Sequence, residues 1–293
     1  MPDLRIPRTS ETIPAVVRPV VPADVASIEG FLAARPASSM FLRSYLHLGG
    51  LAFAGGPYQG TWVGAFDPAV VGVAMHAWTG NVILQAPTHA APLARSALAE
   101  SGRALKGILG PWAQVTAARE AVGLAAPPRL NNREDLFELQ LADLLVPEPR
   151  DGVIFRVATS ADLDRMVAWR CDAMVLSEGA ARGPALEADV RPHIERYVRE
   201  GTMFLVEDRG PPVACSTFNA RMPDCVQIGG VWTPPALRGR GYARRVVAGS
   251  LVAARARGVT RSVLFTGAHN EPARRAYLAL GYRIVGDYAL LLW

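Results

Sequence analysis

Hydrophobic positions in this chain come in short runs broken by glycine, proline and aspartate, with one long stripe at helical spacing near the C-terminus. The runs Thr61–Phe66, Val70–Trp78 and Asn81–Gln85, parted by Asp67-Pro68 and Thr79-Gly80, predict three strands joined by tight turns. A second set follows at Met203–Glu207, Val213–Phe218 and Cys225–Val231, parted by Arg209-Gly210-Pro211 and Met222-Pro223-Asp224. The stripe lies in Ala243–Arg257, where Val246, Val247, Ser250, Leu251 and Ala254 share one face and Gly258 is placed to end the helix. Beyond it the pattern predicts a strand at Val259–Phe265, a helix at Pro272–Leu280, and closing strands at Arg283–Val285 and Tyr288–Leu292.

One plan is used twice. Val16–Val21 and Val153–Val157 are both short apolar strands carrying an arginine, and both lead through an aspartate (Asp24, Asp162) into a helical pattern. In the second case Asp162 or Ser160 is placed to cap that helix. Between the copies, Val146-Pro147-Glu148-Pro149-Arg150-Asp151-Gly152 breaks any regular element and reads as a linker. The expectation is an α/β chain of two domains, 1–145 and 146–293. Each would be a mixed, largely antiparallel twisted sheet flanked by helices.

Composition narrows the classes. With 293 residues, 50% hydrophobic and 19% charged, the chain has enough apolar surface for two cores. The net charge of +5 comes from scattered arginines, with Lys106 the single lysine, so no basic arm for nucleic acid is formed. Cys171, Cys215 and Cys225 have neither CxxC spacing nor an even count, and no metal-ligand spacing occurs. Neither a structural zinc nor a disulfide framework is expected. Residues 1–12 are polar with no apolar signal core, and no membrane-length apolar run follows. A cytoplasmic protein without membrane partners is expected.

The chemistry concentrates in Gln227-Ile228-Gly229-Gly230-Val231-Trp232-Thr233-Pro234-Pro235-Ala236-Leu237-Arg238-Gly239-Arg240-Gly241-Tyr242-Ala243. A strand runs into a basic, glycine-punctuated loop that opens the long helix. Free N–H groups and the helix dipole favour an anion there, and Gly239 and Gly241 let it approach the backbone. A Walker loop would need Gly-Lys-Ser/Thr. A dinucleotide loop would need glycine where Arg244 stands.

The pattern Arg238-x-x-Gly241-x-Ala243, its lead-in Thr233-x-Pro235-x-x-Arg238-Gly239, and the downstream Asn270-x-x-Ala273-x-x-x-Tyr277 with Gly281-Tyr282 resemble the motifs of the GNAT superfamily of acetyltransferases. The resemblance covers roughly residues 152–293 and implies two tandem GNAT-like domains, the second binding acetyl-coenzyme A as cosubstrate. It implies that Val231, Trp232 and Thr233 run along the pantetheine arm and that Arg238, Gly239, Arg240, Gly241, Tyr242, Ala243 and Arg244 hold the pyrophosphate. Asn270 would contact the pantetheine or cap its helix, and Tyr277 would be the general acid or else a packed aromatic.

The general base has no motif. Glu178, after the first helix of the second half, is the candidate and Asp172 the reserve. In the first half the corresponding stretch is Gln85-Ala86-Pro87-Thr88-His89-Ala90-Ala91-Pro92. Its two prolines lack N–H donors, so residues 1–145 are expected not to bind coenzyme A. The implied activity is transfer of acetyl to a small primary amine by direct attack. A regulatory coenzyme A-binding module, another acyl group and a protein acceptor remain open.

Overall fold

The computed structural model describes residues 15–123 and 126–293; the polar start read at residues 1–12 lies outside them. The first half runs β1 (Val16–Pro19), α1 (Val25–Ala33), α2 (Met40–Gly49), β2 (Gly60–Asp67), β3 (Ala69–Ala77), β4 (Asn81–Gln85), α3 (Ala90–Ser101), β5 (Gly107–Gly110), α4 (Trp112–Val122) and β6 (Leu130–Gln140). The second repeats it as β7 (Val153–Val157), α5 (Leu163–Glu178), α6 (Pro184–Arg199), β8 (Met203–Asp208), β9 (Pro212–Arg221), β10 (Cys225–Trp232), α7 (Tyr242–Arg255), β11 (Arg261–Gly267), α8 (Glu271–Leu278) and β12 (Arg283–Leu292). The expected duplication is thus matched element by element. The two closing strands expected at 283–285 and 288–292 are one strand, with an irregularity between Ile284 and Gly286.

The repeat extends to side chains. Arg18 makes a two-pronged ion pair with Asp24, and Arg156 makes the same pair with Asp162. The second aspartate also accepts from the Thr159 N–H and hydroxyl, which closes the turn before the helix, and neither Asp162 nor Ser160 makes the side-chain cap bond expected at α5. Hydrogen bonding by Arg156 brings the Asp162 carboxyl down to about 2. Because the folded value lies below the unfolded one, this stabilisation is present above about pH 4 and is lost as pH falls toward 2. Asp162→Asn is therefore expected to cost on the order of 1–2 kcal/mol at neutral pH, less than the full shift because Arg156 is 31% exposed. Thermal melting at pH 7 and pH 2.5 should show the gap between the proteins narrowing at the lower pH.

Among the described residues the strands form one sheet in the order β1-β2-β3-β4-β5-β12-β6-β11-β10-β9-β8-β7. The halves exchange their last strands. β12 pairs antiparallel with β5 of the first half, and β6 pairs antiparallel with β11 of the second. The exchanged strands also pair with each other along most of their length. Cores follow the exchange: Phe137, Leu139 and Leu141 pack with Val246, Leu251 and Leu264, while Ala289 and Leu291 pack with Leu84, Leu93 and Ile108. Helices α1 and α2 pack through Ile28, Leu32 and Tyr45 on the face that carries Phe265 and Tyr288, whose rings stack at 4.9 Å.

Candidate active site

β10 pairs in parallel with β11 at Cys225, Val226 and Gln227, and nowhere further along. From Ile228 onward its edge toward β11 is open, because shifts between Gln227 and Ile228 and between Gly229 and Trp232 bend it away while it stays paired with β9. The opening leads into a cleft of about 1480 Å³ that runs between the halves. Packing and backbone conformation call for glycine at both 229 and 230. A Cβ on Gly229 would run into the Asn219 side chain, and Gly230 holds a left-handed φ of 55° beside Thr217.

The loop after β10 has the geometry of an anion cradle. Gly239 and Gly241 take φ values of 76° and 77°, and a Cβ added to either would meet nothing within 4 Å. Gly241 caps α7 with no side-chain partner. Among the described residues, the N–H groups from Gly239 through Arg244 donate to no acceptor outside regular ladders, and the helix ladder starts only with Arg245 to the Gly241 carbonyl. Arg244 adds a buried Nε without a partner, and Arg240 is exposed at the cleft. Arg238 braces the loop: its Nε donates to the Thr233 carbonyl at 3.1 Å and its guanidinium lies 5.0 Å from the Trp232 ring centre. The Tyr242 side chain turns into the core and hydrogen-bonds Asp208, leaving only its backbone to the loop. Thr233 Oγ1 and Trp232 Nε1 are buried without partners beside the opening. A diphosphate with a polar arm fits this set of unsatisfied donors and open backbone.

Across the opening, α8 brings Tyr277 and Asn270 to the same cleft. Asn270 is the helix cap, accepting from the Ala273 N–H at 3.4 Å and donating to Thr266 Oγ1 at 3.3 Å. Tyr277 is held edge-on by Phe137 and Tyr282, each with ring centres 6.0 Å away. Its hydroxyl has no hydrogen-bond partner among the described residues. Burial, with Glu134 adding to it, pushes this phenol above its ordinary value. The group is therefore a neutral donor at any ordinary pH.

Glu178 ends α5 at the cleft wall, engaged at 3.3 Å by Arg170 and at 3.3 Å by Arg129 from the first half. Asp172 is partly exposed, pairs with Arg182 and does not line the cleft. His193 on α6 does line it. Surrounding protein, then Arg196 and Arg170, pushes this imidazole below its ordinary value, although part of the residue is open to solvent. Its neutral form is favoured, which no local pattern around His193 in the sequence signals. Cys215 also borders the cleft, but burial pushes its thiol up to about 12, so it offers no thiolate nucleophile near neutrality. The far wall belongs to the first half, through Phe41, Tyr45 and Trp78.

The equivalent place in the first half is closed. His89, with φ 66°, stands at the cap where the second half has Gly241, and Pro92 falls in the first turn of α3. The Ala86 N–H at the end of β4 donates to Gln114 Oε1 at 2.6 Å, so a side chain of α4 fills the gap between β4 and β5.

Comparison with known proteins bears on the family and the fold. The family model for the acetyltransferase (GNAT) family matches residues 163–282. No curated protein matches the chain. Among solved structures, a Drosophila protein superposes with a TM-score of 0.66 at 14% identity, covering 95% of this chain and 99% of that one. A GCN5-related N-acetyltransferase from Sphaerobacter thermophilus gives 0.56 at 17% identity, with 94% of each chain covered. A tandem GNAT protein from the clavulanic acid biosynthesis pathway gives 0.57 at 11% identity, covering 94% of this chain and 97% of that one. Residues 163–282 are thus similar to the GNAT acetyltransferase family, in a chain that shares its fold with a tandem GNAT protein.

Proposed function

We propose that the protein transfers acetyl from acetyl-coenzyme A to a primary amine, with residues 146–293 supplying the cosubstrate site and residues 1–145 a wall of the acceptor cleft. The run of unsatisfied N–H groups from Gly239 to Arg244 at the head of a helix carries this reading, since it offers a diphosphate open donors and the positive end of the helix dipole. The open edge of β10 takes the pantetheine arm between Val231 and Tyr277, and Val231 polarises the thioester carbonyl. Bound there, the cosubstrate supplies an activated acyl group. The amine attacks the carbonyl carbon directly, the carbon–sulfur bond breaks, and Tyr277 donates its proton to the departing sulfur. Direct attack is favoured over an acyl-cysteine because Cys215 stays protonated.

Glu178 is assigned the amine's proton, relayed by water, with neutral His193 as the alternative acceptor. If His193 serves, His193→Gln should abolish the acid limb of the pH–rate profile while Glu178→Gln leaves it in place. The buried free cysteines suit a reducing compartment such as the cytoplasm.

Gly241→Val places a β-branched residue at φ 77° and fills the space that the diphosphate needs. Coenzyme A affinity should fall by roughly tenfold to a hundredfold, from backbone strain of about 1–2 kcal/mol together with lost hydrogen bonds. Calorimetry on the folded variant measures this, and unchanged affinity would remove the loop from the site. The reading as a whole is tested by titrating acetyl-coenzyme A into the full chain and following thiol release with a panel of primary amines. Binding with no transfer to any amine would make the protein a coenzyme A-responsive module instead.

A further inference from the structure

Two arginines in the described chain are buried to 7% exposure, and they are handled in opposite ways. Arg43 is neutralised by Glu29 at 2.8 Å and Asp224 at 3.5 Å. Arg196, in the last turn of α6, has neither an ion pair nor a side-chain hydrogen bond among the described residues, and its Nε is buried without an acceptor. It lines the cleft that the opening in β10 leads into. Around its guanidinium stand Tyr197 at 5.1 Å, Tyr58 at 5.2 Å and Trp78 at 5.7 Å, the last two from the first half. Glu200 is nearby but already taken, accepting from the Tyr58 hydroxyl at 2.7 Å and pairing with Arg221 at 3.1 Å.

A buried cation with no anion is costly. Ring faces and the C-terminal carbonyls of α6 offset part of that cost. They give the guanidinium N–H groups no acceptor in their own plane, and a carboxylate would. We infer that Arg196 is the anchor for a carboxylate on the acceptor, so that the amine acetylated here belongs to an amino acid or a similar amine-bearing acid. This rests on the proposed transferase reading and adds the acceptor class to it. A planar carboxylate suits a single guanidinium set among aromatic rings better than a tetrahedral, doubly charged phosphoryl group does. It also explains why the first half is retained without a cosubstrate loop, because it contributes Tyr58 and Trp78 to the box.

The test uses the full chain and matched acceptors: glycine, β-alanine and 4-aminobutyrate, their amides, and the corresponding aminophosphonates. Coenzyme A binding is measured first by calorimetry. The acceptors are then titrated with and without coenzyme A, and thiol release is followed in parallel. At least one acid should bind and react better than its amide by roughly tenfold or more, the scale of one charged hydrogen-bonded pair. Arg196→Met should raise KM for that acid by roughly tenfold to a hundredfold, leaving kcat, the amide's KM and coenzyme A affinity unchanged, and Arg196→Lys should recover part of the loss.

Absence of any acid preference, a stronger preference for the phosphonates, or an unchanged KM in Arg196→Met would overturn the assignment. So would a variant that only melts earlier with its acid preference intact, which would make Arg196 structural. Failure of coenzyme A to bind would show in the first titration and count against the transferase reading alone, because the acid titration without coenzyme A still reports on Arg196.

Discussion

Tyr277→Phe should leave the fold and coenzyme A affinity as they are and lower turnover by roughly 10²–10⁴, the usual contribution of a positioned proton donor. The substitution is clean because the ring packs through Phe137 and Tyr282, and phenylalanine keeps both contacts. The hydroxyl itself has no partner to strand when it is removed, so stability should change little. Turnover at saturating acetyl-coenzyme A, with melting curves as the control, measures the effect. An unchanged rate in a folded variant would make Tyr277 a packing residue and leave protonation of the sulfur to water.

The second large effect comes from dividing the chain. Read as a sequence, residues 146–293 look like a self-sufficient unit expected to bind coenzyme A alone, but the strand exchange removes that expectation. A fragment cut at 145/146 leaves β11 without β6, and takes Phe137, Leu139 and Leu141 out of the core that supports α7. Each such side chain contributes about 1.5–3 kcal/mol by burial, and a whole domain has only about 5–15 kcal/mol of stability. The first fragment likewise loses β12, with Ala289 and Leu291 from its own core. Neither fragment should melt cooperatively as a monomer, and the 146–293 fragment should lose coenzyme A binding. Co-expression should restore both properties, since the two strands are then available to each other. A monomeric, folded 146–293 fragment with full coenzyme A affinity would show that β12 can close β11 by itself.

Much of the candidate site was legible because its signals are local. A left-handed backbone at a helix start calls for glycine, and Gly239 and Gly241 are spaced for it whatever packs elsewhere. The spacing of Asn270 and Tyr277 follows from one helix turning from cap to apolar face. Asn270 was readable as cap or ligand contact, and only coordinates show the cap bond to Ala273. The acceptor side had no such signal. Arg196 is one arginine among many in the sequence, and its isolation depends on Glu200 being claimed by Tyr58 and Arg221 from distant segments. Glu178 was singled out from its place after a helix, but its engagement by Arg129 depends on the two halves lying together.

The sequence by itself determined the element order, the duplication and the loop at the head of α7, because hydrophobic period, turn residues and glycine conformation act over a few residues at a time. The tertiary structure decided which strand closes which half, and so which residues face one another across the cleft. A strand with an apolar run such as β12 satisfies any partner edge that offers hydrogen bonds and a matching face. Its choice of β5 over β11 is a property of the whole sheet.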